Sequence, residues 1–242
     1  MAEHIKPYSQ KENKKNQVSK MFDNIAPYYD FLNRFLSLGI DTIWRKKAID
    51  ELLDLDPKKI LDVATGTGDV AIEMTKRLNP SQIIGLDISK EMLEIGKKKI
   101  NKRDLSKIIE MEVGDSEDLR FEDNTFDAIT VSFGVRNFEN LEKGIAEMNR
   151  VLKKDGKLIV LEFSRPSVFP IKQAFNFYFK YILPLIGRLT SKDKRAYSYL
   201  YESVQAFPEG NNFLKVLDKT GFKSNTCKRL SLGICSIYTG IK

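Results

Sequence analysis

Lys59-Ile60-Leu61-Asp62-Val63-Ala64-Thr65-Gly66-Thr67-Gly68-Asp69 is the stretch on which the fold turns. A short apolar run stops at two glycines. It reads as a buried strand, a tight turn and a helix that opens at Asp69. The same rhythm continues outward. Strands are expected at 82–87, 108–113, 127–133 and 157–163, with helices at 69–78, 90–103 and 141–152 between them. Apolar strands separated by helices make βαβ units and a parallel sheet covered on both faces. Near the end, 211–220 reads as a helix, and 222–229 and 233–241 as two strands joined by a short turn. The expectation is an α/β fold: a mixed seven-stranded sheet with a terminal β-hairpin, helices on both faces, N-terminal helices and a helical insertion.

The chain divides on this reading into a polar flexible tail, 1–17, and one domain, 18–242. Within the domain, 18–56 is an N-terminal helical lid of two or three short helices punctuated by Pro27 and Gly39, followed by a helix at 42–54. Residues 57–163 are the nucleotide-binding core, 164–207 a helical insertion facing substrate or membrane, and 208–242 the closing helix and hairpin.

With 242 residues, 42% hydrophobic and 30% charged, the chain is an ordinary globular domain rather than a disordered, collagenous or multi-span one. Cys227 and Cys235 are its two cysteines, too few for a disulfide framework and without partners for zinc. Its single histidine, His4, lies in the polar start. Ser-His-Asp, Cys-His and multi-histidine metal mechanisms are therefore excluded, and no metal site is expected. The first residues lack a basic-then-apolar leader, so the expected location is the cytoplasm. The most apolar window, 175–186, is too short to span a bilayer and carries Lys180 and Pro184.

The net charge of +7 is unevenly spread. Residues 1–20 carry net +3 and residues 165–195 net +6, leaving the rest slightly acidic. The second cluster interleaves with Phe and Tyr. Such a surface suits single-stranded nucleic acid or an anionic membrane interface, and composition does not choose between them.

The ligand expected at the glycine turn is nucleotide-like. Gly66 and Gly68 let the backbone pass close to a ligand where a helix begins. Asp87 ends the second strand and can accept hydrogen bonds from both ribose hydroxyls. Asp115, in Gly114-Asp115-Ser116, follows the third strand at another carboxyl end. Gly66-Thr67-Gly68-Asp69-Val70-Ala71 also fits a dinucleotide pattern, so an NAD-linked oxidoreductase is one alternative and a non-catalytic RNA-binding module another. Context favours S-adenosylmethionine. A pyrophosphate prefers a helix N-terminus free of negative charge. Here Asp62 and Asp69 flank the turn and suit an ammonium and a sulfonium better.

Further segments give a resemblance. Met21-Phe22-Asp23, Tyr29-Asp30, Leu61–Asp69, Gly114-Asp115-Ser116-Glu117, Asp123–Asp127, Phe133-Gly134-Val135-Arg136-Asn137, Leu161-Glu162-Phe163-Ser164 and Ser198-Tyr199-Leu200 occur in that order. From about residue 18 to the end, the chain resembles the quinone C-methyltransferases of menaquinone and ubiquinone synthesis, the demethylmenaquinone methyltransferase family. The resemblance implies a Rossmann-like class I methyltransferase fold, S-adenosylmethionine as cofactor and a lipophilic prenylated quinol as substrate, with no nucleic acid. It implies cofactor contacts from Thr67, Asp87, Asp115, Ser116 and Ser132, beside Asp62, Gly66 and Gly68 of the turn. Two departures stand out. Lys153-Lys154-Asp155-Gly156 replaces a Lys-Pro-Gly-Gly turn, and Tyr238 stands where a histidine is common.

Methylation of a quinol ring carbon needs alignment of donor and acceptor and stabilisation of a phenolate whose parent phenol has a pKa near ~10. Arg136 is the expected phenolate-stabilising cation, and Asn137 orients the other quinol oxygen. Their structural alternatives are an ion pair for Arg136 and an N-cap of helix 139–152 for Asn137. The proton acceptor is left between a carboxylate-held water and a tyrosine such as Tyr199. In 170–186, Ile171, Phe175, Tyr178, Phe179, Ile182, Leu185 and Ile186 form a helical stripe. With Phe22, Tyr28, Tyr29 and Phe35 it is expected to roof the quinol pocket, and its basic charge to hold the protein peripherally on anionic membrane.

Overall fold

The structure, a computed structural model, describes residues 5–182 and 194–242. Strands β1 (Lys59–Val63), β2 (Gln82–Asp87), β3 (Ile109–Val113), β4 (Phe126–Ser132), β5 (Leu152–Phe163), β6 (Lys223–Leu230) and β7 (Cys235–Ile241) form one sheet. Its order is β3-β2-β1-β4-β5-β7-β6, with β1 to β5 parallel and β7 antiparallel to both neighbours. The mixed seven-stranded sheet with its closing hairpin is thus as the sequence predicts. The chain leaves β1 for β2 on one side, while β4 lies on the other. The carboxyl ends of β1 and β4 therefore flank a topological switch point, where open α/β sheets bind ligands.

Alternation within each strand sends neighbours to opposite faces. Ile60, Ile83 and Ile159 pack with Trp44, Val70 and Leu93 under α2 (Ile40–Asp50), α3 (Asp69–Arg77) and α4 (Lys90–Asn101). Leu61, Ile129 and Val160 pack with Ile145, Met148 and Phe213 under α5 (Leu141–Val151) and α8 (Asn211–Lys219). A third apolar cluster joins α1 (Lys14–Leu36), α6 (Ile171–Phe177), a π-helical turn (Tyr178–Ile182) and α7 (Lys194–Ala206). Phe163, at the carboxyl end of β5, packs against that cluster.

The N-terminal region corrects the sequence reading twice. Instead of two or three short helices, α1 runs unbroken for 23 residues with Pro27 inside it. Proline removes one helical hydrogen bond, but tertiary contacts hold both flanks: Met21, Ile25 and Leu32 are buried. Asp23 accepts from Ser89 Oγ at 2.6 Å and Asp30 from Thr67 Oγ1 at 2.5 Å. Gly39, with φ 77°, does end the lid's first helix and start its second. The segment expected as a loose tail is hydrogen-bonded from Pro7 onward. Gln17 Oε1 accepts from the Tyr8 and Ser9 amides at 2.7 and 2.8 Å, and Arg195 Nε donates to the Pro7 carbonyl at 2.7 Å. Polar composition misled there because the partners are backbone groups, which sequence does not display.

His4 lies outside the described residues, as do Pro184 of the apolar window and Leu185, Ile186, Arg188 and Lys192 of the predicted stripe and basic cluster. Among the described residues no helix is long and apolar enough to cross a membrane.

Candidate active site

Two strained strand ends mark the site. Gly66 and Gly68 take left-handed backbone at φ 58° and 77°, as the tight turn requires. Ala64 after β1 (φ 53°) and Phe133 after β4 (φ 59°) do the same while carrying side chains. Such conformations are costly and gather at functional sites. The Gly66 amide donates to Asp87 Oδ2 at 2.8 Å, and the Ser89 amide to Asp87 Oδ1 at 2.8 Å, which fixes the carboxylate at the end of β2.

Around these ends lies a cleft in two lobes that share Tyr29, Ala64, Gly66 and Ser132. The larger, about 80 Å³, is lined by Leu86, Asp87, Gly114, Asp115 and Ser116 and is covered by Lys15, Val18 and Phe22 of α1. The smaller, about 20 Å³, is lined by Asp62, Thr65, Thr67, Asp69 and Arg45. Every site residue predicted from the sequence lines the cleft or the cavity beside it except Gly68, which caps α3 instead.

Charge in the cleft is distributed differently from the sequence expectation. Asp69 is not a free carboxylate. Burial pushes its pKa up, but Arg45, Lys99 and Arg34 outweigh that and hold it low. Arg45 Nη1 lies 3.0 Å from Asp69 Oδ2, and Lys99 also pairs with it. Asp62 and Asp87 have no such ion pair among the described residues. Asp62 accepts only hydroxyls, from Thr65 and Thr130, both at 2.6 Å. Burial raises each pKa to about 6 against the hydrogen bonds each receives. Arg45 supplies the complementary feature: its Nε is buried and has no partner among the described residues. Asp115 pairs with Lys15 Nζ at 2.5 Å, and the Thr67 hydroxyl donates to Asp30 and accepts from Lys99 Nζ at 3.0 Å.

Against the cleft sits a larger cavity of about 390 Å³. Phe22, Tyr29, Phe133 and Asn137 line both spaces. The cavity walls are mostly apolar: Met21, Ile25 and Leu32 of α1, Trp44 of α2, Phe163, then Ile171, Phe175, Tyr178 and Phe179. Part of the predicted roof is therefore in place. Tyr28 and Phe35 are not part of it; they are half-exposed on α1. They follow the same helical period but fall on the flank of the inward face, about a quarter-turn from its centre.

Besides Arg45 Nε, three buried polar atoms of this cavity's lining residues have no partner among the described residues: Arg136 Nε, Asn137 Oδ1 and Tyr199 Oη. Arg136 and Asn137 stand on a single 3₁₀ turn, Val135–Asn137, after β4. The N-cap of α5 is Asn140, which accepts from the Lys143 amide at 3.0 Å, so Asn137 is not spent on capping. Arg136 does form the ion pair that sequence offered as its alternative, with Glu162 Oε1 at 2.7 Å, and its face lies over Phe163 at 5.6 Å. Pairing and an open Nε coexist because a guanidinium carries five N–H donors. Glu162, fully buried at the end of β5, has its pKa raised by burial, which Arg136 opposes. Sequence reasoning quoted Glu162 without giving it a role, and it missed Arg45 and Asp41. An Asp41–Arg45 pair four residues apart reads in sequence as surface charge on a helix.

A mostly parallel sheet with strained ends at its switch point, a small charged cleft and an apolar chamber beside it together define a Rossmann-like class I methyltransferase. Solved structures agree on the fold. A putative S-adenosyl-L-methionine-dependent methyltransferase from Methanococcus maripaludis superposes with TM-score 0.65 at 21% identity, covering 92% of this chain and 94% of that one. A SAM-dependent methyltransferase from Thermotoga maritima gives 0.60 at 18%, covering 92% and 99%. The chain belongs to the ubiE/COQ5 methyltransferase family, whose signature matches residues 9–242. It is 51% identical to a demethylmenaquinone methyltransferase of Bacteroides fragilis over 240 residues, 99% of this chain and 98% of that protein. It is 46% identical to a ubiquinone/menaquinone biosynthesis C-methyltransferase of Geotalea daltonii, over 95% and 97% of the two chains. Methyl transfer is thereby separated from the hydride transfer that the glycine pattern alone allowed.

Proposed function

We propose that the protein methylates a ring carbon of a prenylated demethylmenaquinol, with S-adenosylmethionine as donor. The observation that carries this reading is the trio Arg136 Nε, Asn137 Oδ1 and Tyr199 Oη: donors and acceptors without a partner among the described residues, in a mostly apolar chamber beside the charged cleft. A buried polar atom without a partner costs about 1–3 kcal/mol. A quinol, apolar in its ring and polar at its two oxygens, satisfies them.

The cleft residues suit the cofactor. S-adenosylmethionine supplies a methyl group on a sulfonium, with an amino-acid end, a ribose and an adenine. Asp87 accepts from the ribose hydroxyls, and Asp115 and Ser116 run along the adenine. Asp62 faces the ammonium. Arg45, the one cation lining the small lobe among the described residues, faces the carboxylate through its open Nε. Gly66 leaves room for the backbone approach, and Ser132 lies near the reacting end. In the chamber, Arg136 donates to the oxygen that becomes phenolate. Glu162 holds Arg136 in place, so the contribution is a fixed charge-assisted hydrogen bond rather than a mobile net charge. Asn137 takes the other quinol oxygen. Tyr29, Phe133 and Phe163 keep water from the reacting atoms.

The tail leaves through the mouth, where Ile40 and Ala174 are exposed lining residues. Around it stand exposed apolar side chains, Leu38, Ile43 and Phe177, with Lys172 and Lys180 on α6 and the π turn. This rim suits peripheral contact with an anionic membrane, where each basic residue near the surface adds about 1 kcal/mol. Flotation with liposomes tests it: binding that ignores both anionic lipid content and salt removes the membrane contact.

The enzymatic test is calorimetric titration with S-adenosylhomocysteine, followed by turnover of a short-chain demethylmenaquinol measured by mass spectrometry. Absence of binding in the first, or of methylated quinol in the second, overturns the reading. Competition with the demethylated benzoquinol decides which of the two rings named in the family is preferred.

A further inference from the structure

We propose that Asp41 is the catalytic base that removes the quinol hydroxyl proton. The inference rests on the quinol reading above and assigns the step that reading leaves without a residue. Among the described residues lining the large cavity, Asp41 is the single carboxylate. The two arginines and Tyr199 there do not serve. Arg45 and Arg136 carry guanidinium groups, which donate hydrogen bonds and offer no lone pair to accept one. Burial pushes the Tyr199 phenol up, with Arg136 opposing, so it stands as a neutral donor. Glu162 is outside the lining, with Oε1 bound by Arg136 Nη1 and the Phe163 amide. Asp62 and Asp87 open onto the cofactor cleft instead.

Asp41 is buried, at 5% exposure, in the first turn of α2, where the helix start favours an anion. Ser37 Oγ donates to its Oδ1 at 2.8 Å and fixes its orientation. Its charged neighbours are ion-paired at longer range: Arg45 Nη2 lies 3.5 Å from Oδ2 and Arg34 Nε 3.8 Å from Oδ1, with Asp69 beyond Arg45. Oδ2 therefore keeps lone-pair capacity for a substrate hydroxyl. Arg45, one turn further along α2, borders both the chamber and the small cofactor lobe. The carboxylate thus stands on the side of the chamber that borders the small cofactor lobe.

The step balances. The quinol O–H bond breaks and its proton goes to Asp41. The ring carbon forms its bond to the methyl group, while the carbon–sulfur electron pair leaves with sulfur as a neutral thioether. The C–H proton at the methylated carbon then departs to water as the ring regains aromaticity, and Asp41 returns its proton to the oxygen. One proton is released per turnover.

Asp41→Asn keeps size and the Ser37 contact. Its kcat is expected to fall about 10²–10⁴-fold, with S-adenosylhomocysteine affinity within about twofold of wild type. A merely structural role is separated by a series of quinols bearing increasingly electron-withdrawing substituents. The Asp41→Asn deficit must shrink as the hydroxyl becomes more acidic, since less help is then needed to remove its proton. Asp41→Glu, which keeps a carboxylate, must recover part of kcat and the wild-type dependence on substrate acidity. A fully active Asp41→Asn, or a deficit constant across the series, overturns the assignment while the quinol reading survives. Failure of the wild type to methylate any of these quinols overturns both.

Discussion

The cofactor cleft and the apolar chamber share a wall but are built in opposite ways. The cleft is made from strand ends and the turns that immediately follow them: Asp62 to Thr67, Asp87, Gly114 to Ser116, Ser132. The chamber is made from α1, α2, α6 and α7 together with the ends of β4 and β5. The first is charged and small; the second is oily and roomy. Binding specificity for an invariant donor can reside in local backbone geometry, while the space for a variable substrate is left to helices that the sheet does not constrain.

Perturbing the chamber should give the largest effects on rate with the least on cofactor binding. Arg136→Ala is expected to lower kcat about 10²–10³-fold, the usual result of removing one fixed donor to a developing oxyanion, with S-adenosylhomocysteine titration unchanged. An Arg136→Ala variant that loses both equally erases the separation between the two regions.

Perturbing the cleft should do the reverse. Asp87→Ala is expected to weaken S-adenosylhomocysteine by about 10–100-fold, as loss of hydrogen bonds to a charged group implies. Arg45→Ala sharpens the division further. It should weaken S-adenosylhomocysteine about tenfold yet leave 5′-methylthioadenosine, which lacks the amino-acid end, bound as before. Equal loss for both ligands removes Arg45 from the carboxylate role.

The smallest effect is on acidity. Folding raises Asp62 and Asp87 from 3.8 to about 6. The raised folded values favour the protonated form, so the stability they contribute is fully present below about pH 4 and is lost as pH rises through about 6. A ligand whose hydroxyls and ammonium favour the ionised carboxylates reverses that trend. The thermal shift produced by S-adenosylhomocysteine should therefore be larger at pH 7 than at pH 5. An equal shift at both leaves the two carboxylates outside the binding event.

The same contrast explains what could be read from the chain. Asp87 and Gly66 were legible because strand, turn and acid follow one another within a few residues. So was the closing hairpin, whose apolar runs fall at strand spacing. Arg136 and Asn137 came from the resemblance, and the reason they matter, unpartnered atoms inside an oily space, is a tertiary fact. Asp41 and Arg45 were invisible because an acid and a base one helical turn apart look like solvated surface. Tyr28 and Phe35 were misassigned because an aromatic helix shows its period more clearly than which face is turned inward.

One feature of α1 ties the two compartments together. Phe22 and Tyr29 close both the charged cleft and the oily chamber, and α1 is latched across the cleft by Lys15 to Asp115, Asp23 to Ser89 and Asp30 to Thr67. One helix thus walls two compartments, and any displacement of it that opened one would break these three contacts and loosen the other.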